Sequence, residues 1–412
     1  MDKPQHCWKA GGPAQMFSLD GRSLALLRIG LALLILLNLW GQIFTGLASF
    51  EASEALFHQI YLGQGVVNNL WILQTGWVLA TVVAVLLLLG YRTRWAALVS
   101  WGLLLSFYPR LLPQDTAILL VLLFWAIFLP LGATFSIDSA LDTAPKPRTQ
   151  CFFSAATTVF ILQVCFIYWF SGDFFSSQLA ASSDLGLGGD ELLRFWLRLL
   201  GPGLLFIPVQ NAVVRTLAVF LFCGIHLSFA GSQMIAWVYV VGWLALLPSG
   251  LWDGLSQRLG LQRLAQIELY YDQDCGFCKK MVHLIRTFFL LSGAPILPAQ
   301  PYPQVYVTMQ TMNSWIVKGV YGREHYRFEA VIYLVSCSPL WRGFTPLLRW
   351  QPVAKLGDHC YRWVASHRRQ ASVITKPLKF RPLKTDLPGY QQAFVLLAWV
   401  LMVSWQVVRN LA

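Results

Sequence analysis

Charge is scarce in this chain. Only 12% of its 412 residues are Asp, Glu, Lys or Arg, while 56% are hydrophobic, and soluble domains carry about 25% charged residues. That excludes a water-soluble protein over the whole length. Lysine is missing between Lys146 and Lys279, so no amine base or Schiff-base chemistry can come from that stretch. No second cysteine pair stands at zinc spacing, and no metal site is expected. Of the eight cysteines only Cys275 and Cys278 share a motif spacing, which is not the framework of a small secreted domain. Cys151, Cys165 and Cys223 lie in apolar runs and are expected as small core residues. A signal-peptide cleavage pattern is also lacking. Arg22 and Arg28 flank or enter an apolar run that continues beyond Leu37, which predicts an uncleaved helix.

What is present is apolar sequence in membrane-length blocks, with 18 Trp and 14 Tyr of the kind enriched at lipid–water interfaces. Residues 1–20 read as a polar tail. Spans are predicted at residues 24–44, 65–90, 95–108, 116–131, 151–171, 211–230, 234–247 and 391–408. Residues 51–61 suit a helix lying in the interface. Residues 191–210 are apolar, but Arg194 and Arg198 share one face; the segment either crosses or re-enters. The expected fold is a multi-pass α-helical membrane bundle of about eight or nine spans, all but the last within residues 21–255. A small α/β domain follows at 266–370, then a basic linker at 371–390 and the last helix. Residues 41–64 contain no Lys or Arg, which places them outside. Arg92, Arg94, Lys146 and Arg148 are then inside. Lys376, Lys379, Arg381 and Lys384 put the α/β domain inside too, if 191–210 crosses.

The net charge of +12 raises nucleic acid as a partner. Its distribution points elsewhere: residues 268–386 hold 16 Lys/Arg against 7 Asp/Glu, beside a membrane, which suits an anionic lipid surface. No nucleic-acid partner is expected.

Polar residues at bilayer depth cost about 3 kcal/mol or more unless they face a polar interior. Arg28 can snorkel or serve a site. Asp115 and Asp173 sit near span ends, where carboxylates cap helices. His226 lies deep in a span and is either an interhelical hydrogen-bonding group or a ligand. The segments Ser23-Leu24-Ala25-Leu26-Leu27-Arg28-Ile29-Gly30-Leu31, Phe128-Leu129-Pro130-Leu131-Gly132-Ala133-Thr134-Phe135-Ser136-Ile137-Asp138 and Ile225-His226-Leu227-Ser228 resemble the horizontally transferred transmembrane domain. That family includes the bacterial relatives of vitamin K-dependent γ-carboxylase. The resemblance covers about residues 17–255. It implies a reduced quinone as cofactor and a lysine base after Tyr168 and Gly172. Asp173-Phe174-Phe175 stand there instead, which argues against carboxylation. A quinone pocket near Arg28, Tyr168 and His226 is what the resemblance leaves.

The motif that organises the remainder is Ile267-Glu268-Leu269-Tyr270-Tyr271-Asp272-Gln273-Asp274-Cys275-Gly276-Phe277-Cys278-Lys279-Lys280. A β-favouring run enters an Asp-Gln-Asp turn, two cysteines follow at i and i+3, and a helical pattern sets in at Lys279. Strand, turn, CxxC and helix together are a redox context. A sulfur at a helix start meets free N–H groups and the positive end of the dipole, which favours the thiolate. Cys275, the more exposed of the two, is the attacking thiol and Cys278 the resolving one. Two roles are open to Asp272: passing protons at the buried thiol, or making the turn. His283 is expected on a solvated helix face.

The spacing Asp272-x-x-Cys275-x-x-Cys278, with Ser314-Trp315-Ile316-Val317, Ser338-Pro339-Leu340 and Tyr361-Arg362-Trp363, resembles the DCC family of thiol–disulfide oxidoreductases. The resemblance implies a thioredoxin-like fold, although Gln273 stands where the family has Gly. No counterpart is seen of the proline that faces the disulfide in thioredoxins.

The expected function is a thiol–disulfide oxidoreductase anchored in a bacterial inner membrane, its redox domain cytoplasmic. Its partners are the lipid bilayer and a thiol or disulfide substrate; the sequence fixes no cofactor beyond the implied quinone. The alternatives are a carboxylase- or epoxidase-like membrane enzyme and a non-catalytic lipid-binding scaffold.

Overall fold

The computed structural model describes residues 16–48, 70–107, 116–144, 150–170, 212–230, 234–291 and 293–411. Asp115, Asp173 and residues 51–61 and 191–210 lie outside these, as does the side chain of Tyr168. The chain divides into two compact units. One comprises Met1–Thr134, Lys146–Leu251 and Lys384–Ala412, the other Phe135–Pro145 and Trp252–Leu383.

The first unit is built of apolar helices: α1 (Gly21–Ala48), α2 (Leu70–Leu89), α3 (Thr93–Phe107), α4 (Thr116–Ala126), α5 (Ala155–Phe170), α6 (Ala212–Ala230) and α7 (Met234–Leu244); α8 (Ser249–Arg258) starts in it and passes into the second unit at Trp252. Helix Gly389–Leu411 also belongs to the first unit. Leucine- and alanine-rich sequence supplies helix propensity in most of them. Gly90, at φ 73°, ends α2, as a left-handed residue does at a helix C-terminus. Gly30 lets α1 approach α7; a Cβ there would stand 2.6 Å from Val241 Cγ2.

By length and composition one helix, Gly21–Gly41, is able to cross a membrane. A second span is available if α7 and α8, bent by 84°, count as one. Pro248 sits at that bend and cannot continue the helix. The other apolar helices, among them Thr116–Ala126 and Ala155–Ile167, are shorter. By this measure the described residues hold one clear span, or two with the bent pair, and the expected eight or nine are not confirmed.

The expected span at 151–171 starts late. Cys151 and Phe152 form strand β2, paired antiparallel with β1 (Leu19–Asp20), and Ser154 with Thr157 makes the reciprocal cap that opens α5. Cys151 is therefore half-buried in a strand, whereas Cys165 and Cys223 are buried as expected.

In the second unit a mixed sheet runs β4-β3-β5-β6, with β3 (Glu268–Tyr271), β4 (Ile296–Pro298), β5 (Ile316–Lys318) and β6 (Glu324–Tyr326). β3 is parallel to β4 and antiparallel to β5, and β6 is antiparallel to β5. Helices α9 (Gly276–Phe288), α10 (Pro303–Met312) and α11 (Arg327–Cys337) alternate with the strands, and α12 (Gln351–Ser366) and α13 (Arg368–Ile374) follow. Successive residues of β3 face opposite sides. Leu269 and Tyr271 pack with Val282, Ala330 and Leu334 on one side, and Tyr270 packs with Ile316 and Met309 on the other. The central strand thus has helices on both faces.

Residues 135–145 complete this unit. Ser136 caps the helical turn Ile137–Ala140 through the N–H of Ser139. Asp138 pairs with Arg381 at 3.1 Å, and Asp142 Oδ1 accepts the backbone N–H of Leu383 at 2.9 Å.

Candidate active site

The turn after β3 places both cysteines. The N–H of Cys275 donates to the carbonyl of Asp272 at 3.2 Å, and the carbonyl of Cys275 takes the first helical bond, from Lys279, at 3.1 Å. Cys275 is therefore the N-cap of α9, with extended backbone. Its sulfur accepts the N–H of Cys278 at 3.2 Å. The helix begins at Gly276, three residues before the helical pattern does, because the sulfur supplies the cap that Ser or Asp usually gives. Cys275 and Cys278 are joined as a disulfide with Cα atoms 5.2 Å apart. Cys275 is half-buried and Cys278 buried.

An amide N–H aimed at Cys275 Sγ is a donor to whatever charge the sulfur carries once the disulfide opens. It adds to the other orphan donors of the first turn. No acidic residue occurs in that turn, so nothing there opposes a thiolate.

Asp272 is held from the turn just beyond β4. Its Oδ1 accepts the Gln300 side-chain amide at 2.8 Å and the N–H of Asp274 at 3.1 Å. Gln300 Oε1 in turn accepts the N–H of Gln273 at 3.2 Å. The turn-making role of Asp272 is thus visible in its bonds. Gln300 was missed from the sequence; its signal is its place just beyond β4, whose parallel pairing with β3 brings the two strand ends together.

The lysines after the motif are engaged. Lys280 Nζ donates to the carbonyl of Thr375 at 2.7 Å, and Lys279 Nζ stands 5.0 Å from the centre of the Phe380 ring. His283 does not lie on a solvated face: its ring meets Phe380 edge-on at 5.2 Å. The chain after α13 turns back along α9 and covers that face.

Around the sheet, burial pushes the phenol of Tyr270 up, and its hydrogen bond to Glu268 adds to this. Burial likewise raises the Cys337 thiol, which is therefore a poor nucleophile. Among the described residues no group of three or more His, Cys, Asp or Glu is placed to hold a metal.

The remaining sequence-predicted residues lie in the helical unit. Arg28 is fully buried and donates to the carbonyls of Leu131 at 3.0 Å and Thr134 at 3.4 Å. It does not snorkel; it ties α1 to the chain after α4. His226 is fully buried and stacks on Tyr239 with ring centres 4.4 Å apart. Val164, Tyr239 and Trp243 help line an apolar cleft of about 10 Å³, room for about one water molecule.

Residues 269–373 match the family model of the DCC1-like thiol-disulfide oxidoreductases. No curated protein and no solved structure matches the chain. The matched segment contains the CxxC pair, the four-stranded sheet and helices α9 to α12, so the chain carries a thiol–disulfide oxidoreductase domain.

Proposed function

We propose that the protein is a membrane-embedded thiol–disulfide oxidoreductase whose working pair is Cys275 and Cys278. The observation that carries it is the half-buried sulfur of Cys275 capping α9 and bonded to the buried sulfur of Cys278. The order β-α-β-α-β-β-α, with its one parallel and two antiparallel strand pairs, supports a thioredoxin-like scaffold. In the reduced enzyme the Cys275 thiolate attacks one sulfur of a substrate disulfide. That S–S bond breaks, one substrate thiolate leaves, and a mixed disulfide forms on Cys275. Cys278, deprotonated, then attacks Cys275 Sγ and releases the second substrate thiolate. The substrate gains two electrons and the enzyme pair loses them. Run backwards, the same steps oxidise a dithiol.

Membrane embedding draws support from an inverted surface. Val78, Val82, Trp95, Leu217, Leu397 and Leu401 are exposed on the helical unit, while Arg28, Ser100, Gln163 and His226 are buried. Such a surface fits a hydrocarbon solvent. In this reading the helices reach the count of spans that their sequence suggested, in a bacterial inner membrane with the redox unit on the cytoplasmic side. Coupling of the pair to a quinone is the finer form of the proposal and rests on the family resemblance of residues 17–255.

The test uses the purified full chain, reduced and desalted. Wild type loses two thiols on addition of a disulfide such as oxidised glutathione, whereas Cys275→Ser reacts far more slowly. Equal rates for wild type and the Cys275→Ser/Cys278→Ser double variant would sink the proposal. Thiol loss that depends on added menaquinone or ubiquinone, and that the double variant lacks, is the separate result expected of quinone coupling. Labelling of the exposed Cys360 by an impermeant maleimide, in lysed but not intact cells, is expected of a cytoplasmic redox unit.

A further inference from the structure

The segment from Leu340 to Trp363 presents large apolar side chains to the outside of a unit that has an ordinary buried core. Leu340, Phe344, Leu347, Trp350, Leu356 and Trp363 are all exposed, Leu356 at 63% and Trp363 at 58%. They lie outside the CxxC site, and the redox step does not use them.

Their placement has a pattern. On α12 the inward face carries Val353, Gly357, Tyr361 and Val364, all partly buried; Tyr361 bonds Ser314 Oγ at 3.0 Å. Leu356 and Trp363 are two turns apart on another face, with Cys360 exposed beside them. A third face carries Lys355, Asp358 and Arg362. A helix needs only one apolar stripe to bury against its own domain; this one has a second. Before it, Trp341 anchors the segment by donating its indole N–H to the carbonyl of Phe288 at 2.9 Å. That bond fixes residues 340–350 to the end of α9 while Leu340 and Phe344 remain exposed.

The charge around these side chains has one sign. Arg342, Arg349, Lys355, Arg362, Arg368 and Arg369 fall between residues 340 and 370, against Asp358 alone. Arg362 neutralises that carboxylate over 3.1 Å. Tryptophan, phenylalanine and leucine rimmed by arginine and lysine is the composition of a surface that lies in the headgroup region of an anionic bilayer. A second copy of this chain would bring the same cations against themselves.

We propose that residues 340–369 form an interfacial docking surface for anionic phospholipid. The rings and leucines enter the acyl boundary, and the guanidinium groups pair with headgroup phosphates. The inference rests on the reading that the helical unit is lipid-embedded, which holds the redox unit beside a bilayer.

The full chain carrying a nitroxide on Cys360 is reconstituted at one copy per nanodisc. The discs are phosphatidylcholine alone, or phosphatidylcholine with one third phosphatidylglycerol. Incorporation into discs reports on embedding by itself; the label reports on docking. In phosphatidylglycerol discs the nitroxide is expected to become several-fold more accessible to oxygen than to a water-soluble nickel chelate. That preference is expected to fall in phosphatidylcholine, in high salt and in Arg349→Gln/Lys355→Gln/Arg362→Gln. Leu356→Glu is expected to abolish it, with the Cys275/Cys278 pair still reducible as a check on folding. A nickel-accessible label in every disc, with the chain incorporated, overturns the proposal. So does label–label dipolar coupling that appears when two copies share a disc and replaces the lipid dependence.

Discussion

The side-chain amide of Gln300 spans the mouth of the redox turn: its nitrogen donates to Asp272 Oδ1 at 2.8 Å and its oxygen accepts the Gln273 N–H at 3.2 Å. One residue just beyond β4 thereby bonds the first two residues of the strand-to-helix connection that presents Cys275. Asp272→Asn retains an oxygen for Asp274 and Gln300 and removes only the charge. Asp272→Ala removes both. If the carboxylate moves protons for Cys278, the Asn variant keeps its thermal stability while resolution of the mixed disulfide slows about tenfold or more, a general acid–base contribution. If Asp272 only makes the turn, the Asn variant turns over as wild type and the Ala variant melts earlier. Stopped-flow measurement of mixed-disulfide decay beside thermal melting separates the two.

Capping and catalysis coincide in Cys275 Sγ, and substitution can part them. Cys275→Ser leaves an oxygen to accept the Cys278 N–H, so the helix keeps its cap and exchange is lost. Cys275→Ala loses exchange and also about 1 kcal/mol of helix stability. Cys278→Ser leaves the attacking thiol without a resolving partner. It is expected to accumulate a mixed disulfide, visible as a mass increase equal to one substrate half. Loss of the adduct on treatment with dithiothreitol completes the check.

These site residues were legible because everything that builds the motif is local. Strand, turn, cysteine pair and the start of the helix occupy fourteen consecutive residues, which made β3 and α9 readable; the rest of the sheet came only with the resemblance to the DCC family. Gln300 was not legible, since only the parallel pairing of β3 with β4 sets it against Asp272. The same holds for Asp138 and Asp142: they are separated from Arg381 and Leu383 by over two hundred residues, and nothing in a loop between apolar runs signals that it folds with a distant domain. His283 was misread for a related reason. Helical periodicity gives the face a residue occupies, but not that Phe380 returns to cover it. Hydropathy measures apolar length without helix caps, so it did not show that Ser154 and Thr157 start α5 four residues late.

The return of residues 376–383 along α9 depends on Asp142. Its Oδ1 accepts the N–H groups of Ala144 at 3.0 Å and Leu383 at 2.9 Å, and the backbones of Thr143 and Arg381 pair beside it. Asp142→Ala strands two donors, a loss of about 1–3 kcal/mol. Faster amide exchange is expected at Leu383 and Arg381, with β3 and β5 unchanged. Arg381→Gln removes the pairing with Asp138 but keeps these backbone bonds. Arg381 is half-exposed, so its effect is expected to be smaller. Peptide-resolved hydrogen exchange across residues 376–390 ranks the two.

Two strands carry the same device, a tyrosine whose hydroxyl donates to a glutamate two residues earlier: Tyr270 to Glu268 on β3, and Tyr326 to Glu324 on β6. The bond to Glu324, then burial and the glutamate charge, push the Tyr326 phenol up to about 12; an unperturbed phenol titrates near 10. The folded state therefore holds the proton more tightly than the unfolded chain. The stabilisation is complete below about pH 10 and is lost as pH rises from about 10 to about 12. Unfolding free energy of the full chain, measured by denaturant at a series of pH values, is expected to show no pH dependence from these phenols between pH 7 and 9 and a fall above 10. Tyr326→Phe is expected to lessen that fall and to remove one late-titrating phenol from the tyrosinate absorbance. Glu324→Gln tests the cause: it leaves the ring in place but takes away the carboxylate acceptor and its charge, so the Tyr326 phenol should titrate earlier, toward the ordinary value. An unchanged late phenol in Glu324→Gln would assign the shift to burial alone.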